Sequence, residues 1–297
     1  MSPERTRGVV ELEAIRLHYV EAGDGPLVVC VHGFPSCSAS FHFQVDALAR
    51  DHRVVAIDAL GANRSSKPED LSAYRVERLV DQLDRFVLAV GGTDPYSLIG
   101  HDWGAAMAWA YAQALPDRLS GLIAIAAPPY NQLIELLRTS EEQRTRSTYM
   151  WSMRSGSHHR FMTGNGGRDL WEYAYAPLRA LPQVGPDLDE QFRDALAVPG
   201  AIDAGINWYR ANIPDTDQLD DFEAWPSRWA STPSPVLEIW GEDDRTFVPT
   251  FLDGLANYAD DVEVYRMANT GHWPMIEHPD EVNQVIRAFL ARTVTTR

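Results

Sequence analysis

The sequence predicts an α/β fold: a mostly parallel central sheet flanked by helices and interrupted once by an inserted helical cap. Three observations predict it. Short apolar runs such as "PLVVCVHG", "YSLIG" and "LSGLIAIAA" alternate with helix-like stretches through the first third. Such runs are what strands buried on both faces require. From Tyr130 to Pro233 the chain carries helical patches, many aromatics and turn signals, with no strand-like runs, and these return only at "PVLEIWG" and "DVEVYRM".

Each element follows in order. "VVELEAIRLHYVEAG" reads as a hairpin running into Gly23–Gly25, and "PLVVCVHG" and "HRVVAID" as two buried strands. Leu79, Leu83, Phe86, Val87 and Val90 fall on one helical face. "YSLIG" is a strand, "WGAAMAWAYAQAL" a helix of small and apolar residues that ends before Pro116, and "LSGLIAIAA" a strand closed by Pro128 and Pro129. In the middle segment, "TGNGG" and "LPQVGPDL" mark turns between helices. After the two returning strands, a last helix begins near Pro279, with Val282, Val285, Ile286, Phe289 and Leu290 facing the sheet. The division expected is a core of residues 1–130 and 234–297 and a cap of residues 131–233, joined near Pro128–Pro129 and Pro233–Pro235.

Composition narrows the function. The 297 residues carry a formal charge of −16, so a nucleic acid or an anionic membrane is a poor partner. The start, "MSPERTRGVVELEA", lacks a basic stretch followed by an apolar run, and no apolar stretch approaches the ~20 residues of a membrane span. The chain reads as cytoplasmic. There, a disulfide between Cys30 and Cys37 is not expected, and Cys30 reads as a small core residue. No CxxC or HxxxH spacing suggests a metal, and His158 and His159 read as a solvated loop pair.

The chemistry gathers at "LIGHDWGAAMAWA". Gly100-His101-Asp102-Trp103-Gly104 lies between a strand and a helix, where a Gly-x-nucleophile-x-Gly turn lifts its central residue above the sheet. Bulky side chains at 100 and 104 would strike the neighbouring backbone, and the helix N-terminus beneath residue 102 favours an ionised carboxylate. A helix N-cap aspartate would account for Asp102 alone. Two later segments argue for more. "WGEDDRTFVPT" and "NTGHWPMIEHPDEV" each follow a strand and supply an acid and then His272. Nucleophile, acid, histidine is the chain order of a hydrolase triad. Gly-x-x-Asp spacing from Gly241 selects Asp244, leaving Asp243 as a loop charge. "HGFPS", His32–Ser36, follows the first buried strand, and the backbone N–H groups of Phe34 and Trp103 are candidates for an oxyanion hole, with His32 bracing the loop. His18, His42, His52 and His278 have no comparable placement.

With these motifs together, the chain resembles the α/β-hydrolase superfamily over nearly its full length. The pairing of "HGFP" with "GHDWG" resembles the epoxide hydrolases and, close by, the haloalkane dehalogenases. The resemblance implies an α/β-hydrolase fold and cap tyrosines that polarise an epoxide oxygen. "NWYR" matches the second such segment and gives Tyr209; "TYMWSM" gives Tyr149 by position, with Tyr173 and Tyr175 as fallbacks. Two departures stand out: "RSGSHHRF" after Tyr149, and "DALGANRSSKP" where the family tends toward Gly-Tyr-Gly-Arg-Ser.

A carboxylate nucleophile fits displacement at an sp³ carbon, leaving an alkyl–enzyme ester that water activated by His272 and Asp244 can hydrolyse. The expected activity is therefore hydrolysis of a small apolar epoxide by water to a vicinal diol, with no cofactor and no metal. A dehalogenase reading would need indole N–H donors for halide, for which Trp103 and the cap residues Trp151, Trp171 and Trp208 are candidates. A non-catalytic binding protein is the reading from another class, and the complete set Asp102, Asp244 and His272 weighs against it.

Overall fold

The computed structural model describes residues 3–293. Its strands are β1 (Arg5–Leu12), β2 (Ile15–Ala22), β3 (Leu27–Val31), β4 (Arg53–Ile57), β5 (Tyr96–His101), β6 (Leu119–Ile125), β7 (Val236–Gly241) and β8 (Val262–Met267). They form one sheet in the order β1-β2-β4-β3-β5-β6-β7-β8. The β1–β2 and β2–β4 pairs are antiparallel and the remaining pairs parallel. The hairpin thus forms one edge of a mostly parallel sheet.

The helices of the first half are α1 (His42–Leu48), α2 (Val76–Ala89) and α3 (Trp103–Ala114). The stretch between β6 and β7 holds α4 (Tyr130–Thr139), α5 (Glu141–Arg146), α6 (Thr148–Ser155), α7 (His159–Arg179), α8 (Pro186–Ala197) and α9 (Ala201–Asn212). A short α10 (Pro274–Glu277) and the long α11 (Pro279–Thr293) follow β8. The "TGNGG" signal falls inside α7, which breaks at Gly164–Gly167, where Asn165, Gly166 and Gly167 take positive φ. The two ends of the expected core, residues 1–2 and 294–297, lie outside the described residues.

Burial explains the strand sequences. All six residues of β5 and of β7 are buried, as are four of five in β3. Each Val, Leu or Ile so covered contributes roughly 1.5–3 kcal/mol relative to exposure. Helix α3 is buried from Trp103 to Ala112, so it shows no polar face. Its run of alanines lets it lie close to β5 and β6.

The topology decides where a site can form. From β3 the chain passes to β4 on one side, and from β4 it returns to β5 on the other, so the order reverses between β3 and β5. A crevice opens beyond the carboxyl ends of such strands, where parallel α/β sheets bind ligands. In the β3–β5 register Val31 lies opposite Gly100. Two residues further along each strand, Gly33 meets Asp102, and a Cβ on Gly33 would lie 2.1 Å from Asp102 Oδ1.

The elbow itself is as tight as its glycines suggest. A Cβ on Gly104 would lie 2.1 Å from the Val31 carbonyl oxygen, which is backbone and cannot swing aside. Gly104→Ala is therefore expected to lower the unfolding free energy by about 2–3 kcal/mol, the cost of overpacking a filled site. Urea denaturation measures this, and a stability within about 0.5 kcal/mol of the parent would refute the packing argument.

Candidate active site

Asp102 stands at the tip of the β5–α3 turn with φ 55° and ψ −125°. A non-glycine residue in that conformation costs about 1–3 kcal/mol and persists only where its surroundings enforce it. The enforcement is backbone bonding: Asp102 N–H donates to Ile125 O at 3.2 Å, and its carbonyl accepts from Ala105 and Ala106 at 2.9 and 3.0 Å. The carboxylate is buried, and its Oδ1 accepts the Phe34 backbone N–H at 2.9 Å. Burial alone would raise its pKa. The His272 side chain, with smaller help from His101 and the Trp103 backbone N–H, more than offsets that and holds it below the usual carboxylate value.

His272 comes from the loop after β8. Its Nδ1–H donates to Asp244 Oδ2 at 2.7 Å, and its Nε2 lies 3.4 Å from Asp102 Oδ2. Burial would lower the imidazole pKa, but Asp244 and Asp102 outweigh it and raise it to about 10. Asp244, from the loop after β7, is itself held by the Thr246 backbone N–H on Oδ1 at 2.6 Å. Asp243 is exposed beside it, and its backbone N–H donates to Thr270 O at 2.9 Å.

His32 holds the loop that carries Phe34. Its Nδ1–H donates to Gly33 O at 2.7 Å and its Nε2 accepts Ala59 N–H at 3.1 Å, so both ring nitrogens are occupied by backbone. Burial, the largest influence, lowers its pKa and keeps it neutral, as two such bonds require.

The tyrosines arrive from above. Tyr209 on α9 is buried, its ring 5.2 Å from Trp103 and 5.9 Å from Phe34 in edge-to-face contact. Tyr149 on α6 packs 6.1 Å from Tyr209 and lines one narrow cavity with Asp102, Trp103, Leu133, Met150 and Phe247. That cavity has room for about one water. Burial, with the nearby carboxylate charges, pushes both phenols well above their ordinary pKa, so both stay protonated. Of the fallback residues, Tyr173 is exposed on α7, and Tyr175 donates its hydroxyl to Pro35 O.

Several positioning residues carried no signal in the sequence. Asn212, at the end of α9, donates from Nδ2 to Tyr74 O at 2.8 Å and accepts the Val76 N–H, the first of α2, at 2.9 Å. Trp208 Nε1–H donates to Leu60 O at 2.9 Å, and together these bonds fix the helix that carries Tyr209. Trp151 Nε1–H and Arg154 Nε–H donate to Pro214 O and Ile213 O at 3.0 and 2.7 Å, tying α6 to the end of α9. Gln143 on α5 accepts Val248 N–H at 2.9 Å and donates to Thr246 O at 3.1 Å, bracing the Asp244 loop.

Among the described residues, no group of three or more His, Cys, Asp or Glu side chains is arranged to hold a metal ion, and no helix is long and apolar enough to cross a membrane. Cys30 and Cys37 are both buried free thiols.

Residues 26–279 match the model of a family described as alpha/beta hydrolase fold. The chain is 28% identical over 289 residues to mouse epoxide hydrolase 3, covering 95% of this chain and 75% of that protein. It is 30% identical over 287 residues to the AB hydrolase superfamily protein YfhM of Bacillus subtilis, covering 95% of this chain and 96% of that one. The crystal structure of a Bacillus megaterium epoxide hydrolase bound to an inhibitor superposes with a TM-score of 0.88 at 29% identity, covering 96% of this chain and all of that one.

Proposed function

The chain belongs to the alpha/beta hydrolase fold family, and on that premise we propose that it is an epoxide hydrolase that opens its substrate through an ester on Asp102. The observation that carries this reading is the buried Asp102 carboxylate, seated on the Phe34 N–H, 3.4 Å from His272 Nε2, and sharing its cavity with Tyr149. The same reading takes residues 131–233 as a cap over a core of residues 1–130 and 234–297.

The first half-reaction joins Asp102 Oδ2 to an epoxide carbon while the C–O bond of the ring breaks. The alkoxide is a poor leaving group, and a phenol of Tyr149 or Tyr209 donates a hydrogen bond that strengthens as charge develops, then the proton. Esterification removes one of the two carboxylate charges that raise His272, so its basicity falls and its proton restores the phenol. In the second half-reaction neutral His272 takes a proton from water, and the hydroxide attacks Asp102 Cγ. The tetrahedral oxyanion forms on Oδ1, where the Phe34 and Trp103 N–H groups meet it. The ester C–O bond breaks, the diol oxygen takes the proton from His272, and the new carboxyl proton returns to His272.

The indoles weigh against halide as the leaving group. Trp151, Trp171 and Trp208 already donate to Pro214 O, an Asp189 carboxylate oxygen and Leu60 O, and the Trp103 ring packs edge-to-face against Tyr209. The test offers the protein a terminal aryl epoxide and a primary haloalkane side by side and quantifies diol and free halide. Diol without halide is expected; halide without diol would overturn the reading.

The two half-reactions should differ in pH dependence. Asp102 is held below its ordinary pKa and both phenols well above theirs, so ester formation should be flat between about pH 5 and 9. Ester hydrolysis needs neutral His272, so it should rise with pH, with a midpoint below the value of about 10 that the free site imposes. Single-turnover rates across that range check this. A flat hydrolysis limb would show that His272 is not the base.

A further inference from the structure

The loop that carries His272 is held at three consecutive backbone positions by two side chains from outside it. Glu277 Oε2 accepts Gly271 N–H at 2.8 Å, and its Oε1 accepts Trp273 N–H at 2.9 Å. Between them, the His272 carbonyl accepts from His101 Nε2–H at 2.7 Å. A carbonyl can only accept, so His101 carries its proton on Nε2, and its buried Nδ1 has no partner among the described residues. Both oxygens of one carboxylate and the only N–H of one imidazole are thus spent on a single tripeptide.

Each clamp is rigid in turn. His101 is the last residue of β5 and is fully buried, its ring 4.9 Å from the His272 ring and 4.7 Å from Trp273. Glu277 ends α10, whose carbonyls at Met275, Ile276 and Glu277 accept from Gln44 and Gln183 at 2.8–3.1 Å. With the flanking amides drawn to one carboxylate and the intervening carbonyl held by His101, the backbone dihedrals of residue 272 have little freedom. The imidazole must present Nε2 to Asp102 while Nδ1 keeps Asp244, so a small rotation of that backbone misplaces both bonds at once. Burial brings the His101 pKa down to about 3, so the ring stays neutral and adds no positive charge beside His272.

We propose that Glu277 and His101 are positioning residues for His272 that act on hydrolysis of the Asp102 ester and not on its formation. This rests on the reading of Asp102 as the nucleophile and His272 as the base. The bond-making step of ester formation depends on the alignment of Asp102 and the phenols, and the clamp side chains spend their hydrogen bonds on Gly271, His272 and Trp273 instead. Hydrolysis needs Nε2 aligned with both a water and Cγ, and displacements of about 1 Å can cost such steps on the order of 10²-fold.

The test mixes excess enzyme with a terminal aryl epoxide, quenches at intervals and follows the protein mass. Parent enzyme, Glu277→Gln, His101→Phe and His272→Gln are compared, each with its melting midpoint. Gln at 277 keeps the size but offers one acceptor to two amides. Phe at 101 keeps the ring and removes the donor. The expected result is ester formation within about twofold of the parent in both clamp variants, with ester decay slowed about 10- to 100-fold. Unchanged decay in both variants would overturn the proposal. So would loss of both steps together with a lowered melting midpoint, which is the signature of a merely structural role. If His272→Gln itself accumulates no ester, the underlying functional reading fails, and that outcome is distinct because it does not depend on either clamp variant.

Discussion

Asp102→Asn is expected to lower kcat by about four orders of magnitude or more, the scale seen when a covalent nucleophile is removed. The amide is nearly the same size, so the elbow, its φ of 55° and the bond from Phe34 N–H can all survive. On the proposed mechanism, what disappears is the negative charge that attacks the ring carbon, together with one of the two charges that raise His272. The effect should therefore appear without loss of fold, and no mass shift of the protein should follow exposure to epoxide. Intact mass must also exclude conversion of the amide to Asp102 during preparation. Turnover persisting in protein verified as the asparagine form would remove Asp102 from the mechanism.

His272→Gln should give a different failure. Gln can hydrogen-bond Asp244 but cannot accept a proton from water, and general-base catalysis of this kind is worth about 10²- to 10⁴-fold. Epoxide should be consumed once per active site, and the protein should then carry the mass of one substrate. Diol release would stop while the ester persists. Losing the raised imidazole also leaves Asp102 and Asp244 without the charge between them, so some loss of stability is expected at neutral pH, where the protonated His272 pairs with both carboxylates. That contribution has a definite sign. A pKa raised from 6.5 to about 10 stabilises the fold fully below pH 6.5 and is lost as pH rises through 10. The parent and the variant should thus converge in stability at high pH.

The parts of this molecule that were legible from sequence share a cause. Buried parallel strands need continuous apolar runs, and the elbow needs glycine on both sides, so β3, β5, β6, β7 and the turn at Asp102 leave strong local marks. Asp102, His272 and Asp244 each follow a strand, and β5, β7 and β8 are parallel in one half of the sheet, so their carboxyl ends lie along the same edge. Helix α1 was not anticipated, because its buried Val45 and Leu48 make too short a run to show a helical period. Nor were Gln143 and Asn212, whose roles lie in backbone groups that come from far along the chain, nor Glu277, whose carboxylate folds back onto Gly271 and Trp273. Gln143 sits in the wholly polar stretch "SEEQRTR", where nothing local separates a bracing amide from a solvated one. His101 fills an unassigned position of the Gly-x-nucleophile-x-Gly motif, although its N–H serves a carbonyl 171 residues away.

Asn212 carries a consequence for how the molecule comes apart. Its one side chain joins the last turn of α9 to the backbone at Tyr74 and to the first amide of α2, and Tyr130 donates to its carbonyl at 2.6 Å. Helices that precede β7 in the chain therefore share buried polar bonds with helices that precede β5. Releasing one set strands the donors and acceptors of the other, at about 1–3 kcal/mol for each buried group left unpaired. The inserted helices and the sheet should accordingly melt as one cooperative unit, with the calorimetric and van't Hoff enthalpies in agreement.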